Sequence, residues 1–393
     1  MSSTQGENFK FPEKGKVLSA KDGAKKAVID FVKKAMDGNC FDAVLLPVRV
    51  HDSPHHAWVF LQDKSLLDKA DPFPPVMSIQ GGRALSSLTK HGEAFSRIAV
   101  ILRPCEIRAS IELFKLNQIN LENIFLISFD CPGVMPLKDY IADPEKIKKQ
   151  YEKVFDKWGM DSSLRPACQN CTKFSLPHSD TDLHIGLLGA SKDKIVLVPA
   201  SDKGKEILEK LDYKEEDSLQ TWASKVKEIE KEKIKQRKEF NTKFKSGVEG
   251  REKLLNFLNK CINCHNCMRV CPICYCQHCY LDSGALGFSP ETYIKRAESR
   301  GSIRFPLDTL LFHLDRMSHM VLSCVSCGAC EDACPASIRI SQLFSFVGEK
   351  TQDAFGYLPG KNKEEPLPLQ DYMEDEFHEV ETPSEESVGG EVG

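Results

Sequence analysis

No apolar run in this chain approaches the roughly 18 residues that a membrane-spanning helix needs. The opening MSSTQGENFKFPEKGK is polar throughout, without the apolar stretch of a signal peptide. Neither a membrane span nor export is expected, and the chain reads as soluble and cytoplasmic. An excess of one charge is missing too: 53 basic against 57 acidic residues leave a formal net charge of -4. That removes the bulk electrostatic case for a nucleic-acid partner. With no helix-turn-helix pattern and no basic face, an iron-sulfur regulator of transcription is a poor reading. GxGxxG and Walker runs are absent, so the ordinary Rossmann and P-loop routes to nucleotide binding are unsupported. No catalytic acid or base stands out.

What the chain has in excess is cysteine. Its 393 residues are 41% hydrophobic and 28% charged, an ordinary globular composition with room for two or three domains. Yet 16 of them are cysteines. A reducing compartment leaves so many thiols little use as disulfides, so metal ligation is the natural role.

Eleven of the 16 lie between Cys261 and Cys334. Cys261, Cys264 and Cys267 followed by Cys271-Pro272, and Cys324, Cys327 and Cys330 followed by Cys334-Pro335, write the run CxxCxxCxxxCP twice. In paired cubane sites three thiolates come from one tight loop, while the fourth, a helical turn later, points at the other cluster. Crossed ligation is expected: Cys261, Cys264, Cys267 and Cys334 around one 4Fe-4S cluster, and Cys324, Cys327, Cys330 and Cys271 around the other. Zinc would use CxxC pairs and leave the Cys-Pro positions unexplained. Such a pair is an electron wire and does no bond chemistry. The segment between the two runs reads mostly as helix and as a docking surface. Cys274, Cys276 and Cys279 either join an extra cluster, with His278 or another chain as fourth ligand, or pack beside the clusters. Cys40 reads as a buried free thiol.

The front of the chain alternates helix and strand. Strand-like runs at 41–50, 96–104 and 123–130 interleave with helical patterns from Ala24 to Met36, Gly81 to His91 and Arg108 to Leu116. This βαβ pattern implies a mixed or parallel sheet with helices against it. LHIGLLGA and KIVLVPAS add two strands, and residues 204–211 a helix. Cys105 in LRPCEIRA and Cys131 in SFDCPG each follow an apolar strand. They are expected at equivalent ends of neighbouring parallel strands, where ligands gather in open α/β sheets. With Cys168 and Cys171 of RPACQNC they supply four thiols for a third cluster; the alternative is unrelated buried cysteines with one stray CxxC. Gly186 and Gly189 could admit a flat ring or a phosphate, and Gly81-Gly82-Arg83 could place amides and a guanidinium on a pyrophosphate. A turn requiring glycine explains each equally well. The expected division is a sheet domain over 1–213, a charged helical connector over 214–255, a helical dicluster domain over 256–360, and an acidic tail over 361–393. That tail is expected to be disordered or draped on a partner.

RPCEIRA, the cysteine of SFDCPG, and RPACQNC followed by DLHIGLLG and KIVLVPASDKGKEILE resemble the β subunits of deazaflavin-dependent hydrogenases and formate dehydrogenases. The resemblance implies flavin adenine dinucleotide (FAD) beside a 4Fe-4S cluster, with hydride exchange between the flavin and a soluble coenzyme, either deazaflavin or NAD(P)H. It carries the cluster ligands onto Cys105, Cys131, Cys168 and Cys171. CVSCGACEDACP with SQLFSFVGEKTQDAFGYLPG is also similar to iron-sulfur subunits that partner formate dehydrogenase or heterodisulfide-reductase complexes. The order of parts departs from relatives that place the ferredoxin module first. The implied fold is an α/β (α+β) flavin-binding domain with a mixed sheet, joined by a charged helix to a helical, ferredoxin-like 2x4Fe-4S domain. The implied function is an electron-transferring oxidoreductase subunit with three 4Fe-4S clusters and FAD. Its partners would be formate dehydrogenase, hydrogenase or heterodisulfide-reductase-like subunits. The alternative is a flavin-free iron-sulfur adapter between two redox enzymes.

Overall fold

The computed structural model describes residues 9–50, 53–158, 161–188, 193–213, 216–284, 287–368 and 370. Its front part is one sheet of β1 (Lys14–Ser19), β2 (Ala43–Arg49), β3 (His56–Leu61), β4 (Ile98–Leu102), β5 (Ile124–Phe129), β6 (Leu183–Gly186), β7 (Lys194–Pro199) and β8 (Glu216–Ser218). The strand order is β3-β2-β4-β5-β6-β7-β1-β8. β2, β4, β5 and β6 run parallel, and the strands at both edges are antiparallel, so the sheet is mixed. Every residue of β4 (IAVIL) and β5 (IFLISF) is buried, as expected of central strands covered on both faces. β1, β3 and β8 carry no clear alternation of their own; they become strands by pairing with β7, β2 and β1.

Helices α1 (Ala24–Asp37), α2 (Gly81–Thr89), α3 (Pro104–Lys115), α4 (Leu137–Ala142), α5 (Pro144–Lys157), α6 (Pro166–Gln169) and α7 (Asp202–Lys210) surround the sheet. Val28, Phe31, Val32 and Ala35 put the apolar stripe of α1 into the core. α3 begins earlier than its apolar pattern suggests. Pro104 supplies a preset φ in the first turn, and Glu106 reaches back to the Arg103 amide. That early start places Cys105 on a helix rather than in a loop.

The charged connector is helix α8 (Gln220–Val248), but it is not a solvated spacer. Trp222 and Val226 are buried against Val196 and Val198 of β7. Farther along, Arg237 donates to Ser345 Oγ (2.6 Å), and Asn241 to Glu349 (2.7 Å). One helix therefore grips both halves of the chain. The remainder is helical: α9 (Arg251–Leu258), α10 (Asn266–Arg269), α11 (Pro290–Arg300), α12 (Thr309–Met320), α13 (Ala329–Asp332) and α14 (Ile340–Ala354). Its own core is built from Leu258, Met268, Phe312, Met317, Leu343 and Phe344.

This helical part folds back onto α3. Arg108 Nε donates to Pro359 O (2.7 Å), and the Gly360 amide donates to Glu112 (2.7 Å), which also accepts from the Tyr357 hydroxyl. All of these groups are shielded from water, so the length of the connector does not separate the two halves. The segment read as the start of a loose tail is packed as well: Leu367 is buried, and the Lys363 amide donates to Asp180 (3.0 Å). The disorder expected farther along concerns residues 371–393, which lie outside the described residues. No helix among the described residues is long and apolar enough to cross a membrane.

Candidate metal centres

In the helical part, Cys261, Cys264, Cys267 and Cys334 line one small cavity with Phe312 and His313. Cys271, Cys324, Cys327 and Cys330 line a second with Arg316 and Phe344. Local chain geometry produces both. His265 (φ 60) and Gly328 (φ 78) take left-handed conformations just before the one-turn helices α10 and α13. The turn folds three thiols inward and leaves the Cys-Pro cysteine one helical turn on. Amides aim at the sulfurs: Asn263 N–H donates to Cys261 Sγ (3.4 Å), Ile338 N–H to Cys334 Sγ (3.4 Å), and His313 Nε2 stands 3.4 Å from Cys261 Sγ. Burial pushes the Cys267 thiol up to about 11 and the Cys327 thiol up to about 12. Without a metal these are neutral thiols, and bound iron supplies the positive charge that makes them thiolates. Among the described residues no three Cys, His, Asp or Glu side chains stand close enough to share a single ion. A cubane, with an iron at each corner, holds its four thiolates farther apart than a single ion does.

The front quartet is assembled by the sheet. β4 and β5 are parallel neighbours; Cys105 lies in the first turn of α3 just after β4, and Cys131 follows β5 with its amide on Phe174 O (2.9 Å). α6 carries Cys168, whose carbonyl accepts from the Cys171 amide (3.2 Å). Electrostatic coupling links the four thiols: Cys105 is affected by Cys131 and Cys171, and Cys131 by Cys168 and Cys171. Burial pushes the Cys131 thiol up to about 12. Arg103 and Arg165, both buried, stand at this site, and the Nε of each has no hydrogen-bond partner among the described residues. Orphaned cationic donors beside four thiols fit an anionic group held between them.

The two kinds of site touch. A Cβ on Gly328 would stand 2.6 Å from Ala167 Cβ and 3.0 Å from Arg165 Nε. Only glycine, free to take φ 78, lets the second ferredoxin-like loop seat on α6. Arg165 completes the joint by pairing with Asp332 (2.9 Å) and donating to the Cys327 carbonyl. Cys105 also lies in the field of Cys327. The order in space is therefore front quartet, then the Cys271/Cys324/Cys327/Cys330 set, then the Cys261/Cys264/Cys267/Cys334 set.

Sequence reasoning overlooked Asp130, the neighbour of Cys131. Its fully buried carboxylate accepts from Trp222 Nε1 (2.7 Å), the Leu187 amide (2.8 Å), the Leu188 amide (3.1 Å) and the Ser175 hydroxyl, with His184 Nε2 at 3.0 Å. Burial alone would raise its pKa, but these partners hold it below the usual carboxylate range. The network clamps β5, β6 and α8 directly behind Cys131. Its one signal in the sequence was an acidic residue closing an otherwise apolar strand.

The residues expected to approach a flavin are engaged by the protein itself. The Gly81 amide donates to Glu106 (3.0 Å), and a Cβ there would overlap Leu102 (2.4 Å) and Trp58 (2.7 Å). Gly82 lies against Ser110, and Gly186 against Val196 and Trp222. These glycines admit neighbouring side chains rather than an open ring. Arg83 donates to the carbonyls of Arg269 and Cys271, tying α2 to the dicluster part, and it borders a cavity of about 700 Å3. Gly189 lies outside the described residues. Cys274, Cys276 and Cys279 border the same cavity as Arg83, with His278. The free thiol of Cys274 shares a hydrogen bond with Cys271, Cys276 is exposed, and Cys279 Sγ lies 3.7 Å from Met268 Sδ. Cys40 is a buried free thiol.

Residues 257–338 match the family described as 4Fe-4S dicluster domain. The chain is 31% identical over 308 residues to the F420-dependent formate dehydrogenase subunit beta of Methanocaldococcus jannaschii, an alignment covering 68% of this chain and 74% of that one. It is 29% identical over 313 residues to the F420-dependent formate dehydrogenase 1 subunit beta of Methanococcus maripaludis, covering 70% and 76%. A chain of the F420-reducing NiFe hydrogenase complex from Methanosarcina barkeri aligns with a TM-score of 0.46 at 13% identity, over 63% of this chain and 96% of the other. By its likeness to the first of these relatives, the chain belongs to the family of F420-dependent formate dehydrogenase β subunits and is an oxidoreductase subunit with a 4Fe-4S dicluster domain.

Proposed function

We propose that this chain passes electrons between a flavin, in hydride exchange with a deazaflavin or nicotinamide coenzyme, and partner redox subunits through three 4Fe-4S clusters. The ligand sets are Cys105, Cys131, Cys168 and Cys171; Cys271, Cys324, Cys327 and Cys330; and Cys261, Cys264, Cys267 and Cys334. FAD belongs to the sheet domain, residues 1–213. When bound, the flavin converts between a hydride and single electrons, and each cluster carries one electron. The residues around these sites do the electrostatic and steric work. Buried arginines offset thiolate charge, amides donate to sulfur, and the apolar cores on either side keep water out.

The observation that carries this reading is the contact of Gly328 with Ala167, which puts the ligand loops of two quartets side by side. A partner subunit is supported at the far end, where Ile262 (59% exposed), Leu311 (60%) and Phe305 (65%) offer apolar surface beside the outermost quartet.

Cys271→Ser tests the ligand sets directly. Although Cys271 lies in the first run, the variant should lose the cluster of Cys324, Cys327 and Cys330 and keep the other, as read by iron content and electron paramagnetic resonance (EPR). The opposite loss would show that ligation is not crossed.

One observation favours the flavin-free adapter as a second reading: Gly81, Gly82 and Gly186 are already filled by protein side chains. Flavin released from anaerobically purified full-length chain separates the two. About one flavin per chain is expected, and none, in protein fully loaded with iron, would establish the adapter.

A further inference from the structure

Arg316, on α12, is 1% exposed, yet beyond a contact with the Cys274 thiol its Nε, Nη1 and Nη2 have no hydrogen-bond partner among the described residues. No carboxylate stands among the charges acting on it; those are Cys271, Cys330, Cys274 and Cys267. Its guanidinium carbon lies 4.6 Å from the centre of the Phe344 ring, and it helps wall the cavity of Cys271, Cys324, Cys327 and Cys330. A guanidinium does not shed its proton to escape burial. An unpaired buried cation is strongly unfavourable unless an anion faces it.

The other buried arginines nearby are not in this position. Arg165 has Asp332 (2.9 Å), and Arg108 donates to Pro359 O (2.7 Å). The outermost quartet faces a different group, His313. His313 walls that quartet's cavity with its Nε2 3.4 Å from Cys261 Sγ, and Arg316 does not line it. The buried guanidinium thus borders the cavity of one ferredoxin-like site and not that of the other, although Cys267 of the outermost quartet also lies in its field.

Resting on the cluster assignment above, we infer that Arg316 is the internal counter-ion of the Cys271/Cys324/Cys327/Cys330 site. As a fixed charge, it holds that site's reduction potential above that of the outermost site. Reduction adds one electron and no proton to a group already negative with its four thiolates, so a fixed cation beside it favours the reduced form. With clusters bound, the Arg316 charge would make the middle site the more easily reduced of the pair.

The test is an anaerobic redox titration of the full-length chain followed by EPR, comparing wild type with Arg316→Met and Arg316→Lys. The methionine keeps the bulk and removes the charge; the lysine keeps the charge. In Arg316→Met one dicluster signal should become at least tenfold harder to reduce, ~59 mV for a one-electron couple, with the other moving less. Arg316→Lys should stay within about threefold of wild type. Loss of about four irons in the methionine variant alone would equally support the counter-ion role. Potentials unchanged in an iron-replete methionine variant would overturn it, and so would iron loss in both variants, which would make Arg316 a packing residue. Failure of the cluster assignment would look different: wild type itself would not load the roughly eight irons of the pair.

Discussion

Replacing Cys168 and Cys171 together by alanine is expected to remove about four of roughly twelve irons, and to leave the EPR signals of the dicluster part in place. The two residues sit on α6 and the turn after it, outside the core of the helical part, so their loss opens the front site alone. The same variant should no longer pass electrons from the sheet domain to the dicluster part, because the Ala167–Gly328 joint would then connect an empty site to a full one. Iron analysis and the rate at which the dicluster signals appear after reduction by coenzyme report the two effects separately. Wild type that saturates at about eight irons, with alkylatable thiols at Cys105, Cys131, Cys168 and Cys171, would remove the front cluster from the account.

Arg165→Ala is expected to loosen the joint itself. Arg165 is 1% exposed and holds both Asp332, at 2.9 Å, and the Cys327 carbonyl. Removing one partner of such a buried pair leaves an uncompensated charge and costs about 3–5 kcal/mol. Nothing in the alanine variant replaces the guanidinium at Asp332, whose side chain is only 9% exposed. The unfolding midpoint in denaturant should fall accordingly, and α8, which bridges both halves, should become the preferred site of limited proteolysis. Arg165→Lys should recover part of the loss, since an ammonium can meet the Asp332 carboxylate but cannot also span to the Cys327 carbonyl. An unchanged midpoint in Arg165→Ala would show that the halves are held by the contacts of Arg108, Glu112 and Tyr357 instead.

The chemistry of the dicluster part was legible in the sequence because it is local. Three cysteines at CxxCxxC spacing fold onto one loop whatever surrounds them, and the following Cys-Pro cysteine lies one turn away in any such chain. Near-continuous apolar runs in β4 and β5 likewise marked central strands, and the two cysteines that follow them marked one end of the sheet. What the sequence did not disclose depends on contacts between distant segments. The charge pattern of α8 suggests a solvated spacer, since Trp222 and Val226 are a small apolar patch whose burial is evident only when β7 lies against it. Gly81, Gly82 and Gly186 look like ligand glycines until Leu102, Trp58, Ser110 and Trp222 fill the space beside them. The cost of a buried charge is likewise invisible in a string of letters, so neither Asp130 nor Arg316 stood out. The sequence by itself determined the 4Fe-4S dicluster domain, the central strands and the family. Only the tertiary structure decided that the loop of Cys324, Cys327 and Cys330 meets the front quartet and which arginine stands beside which cysteines, because desolvation and long-range packing act between residues far apart in the chain.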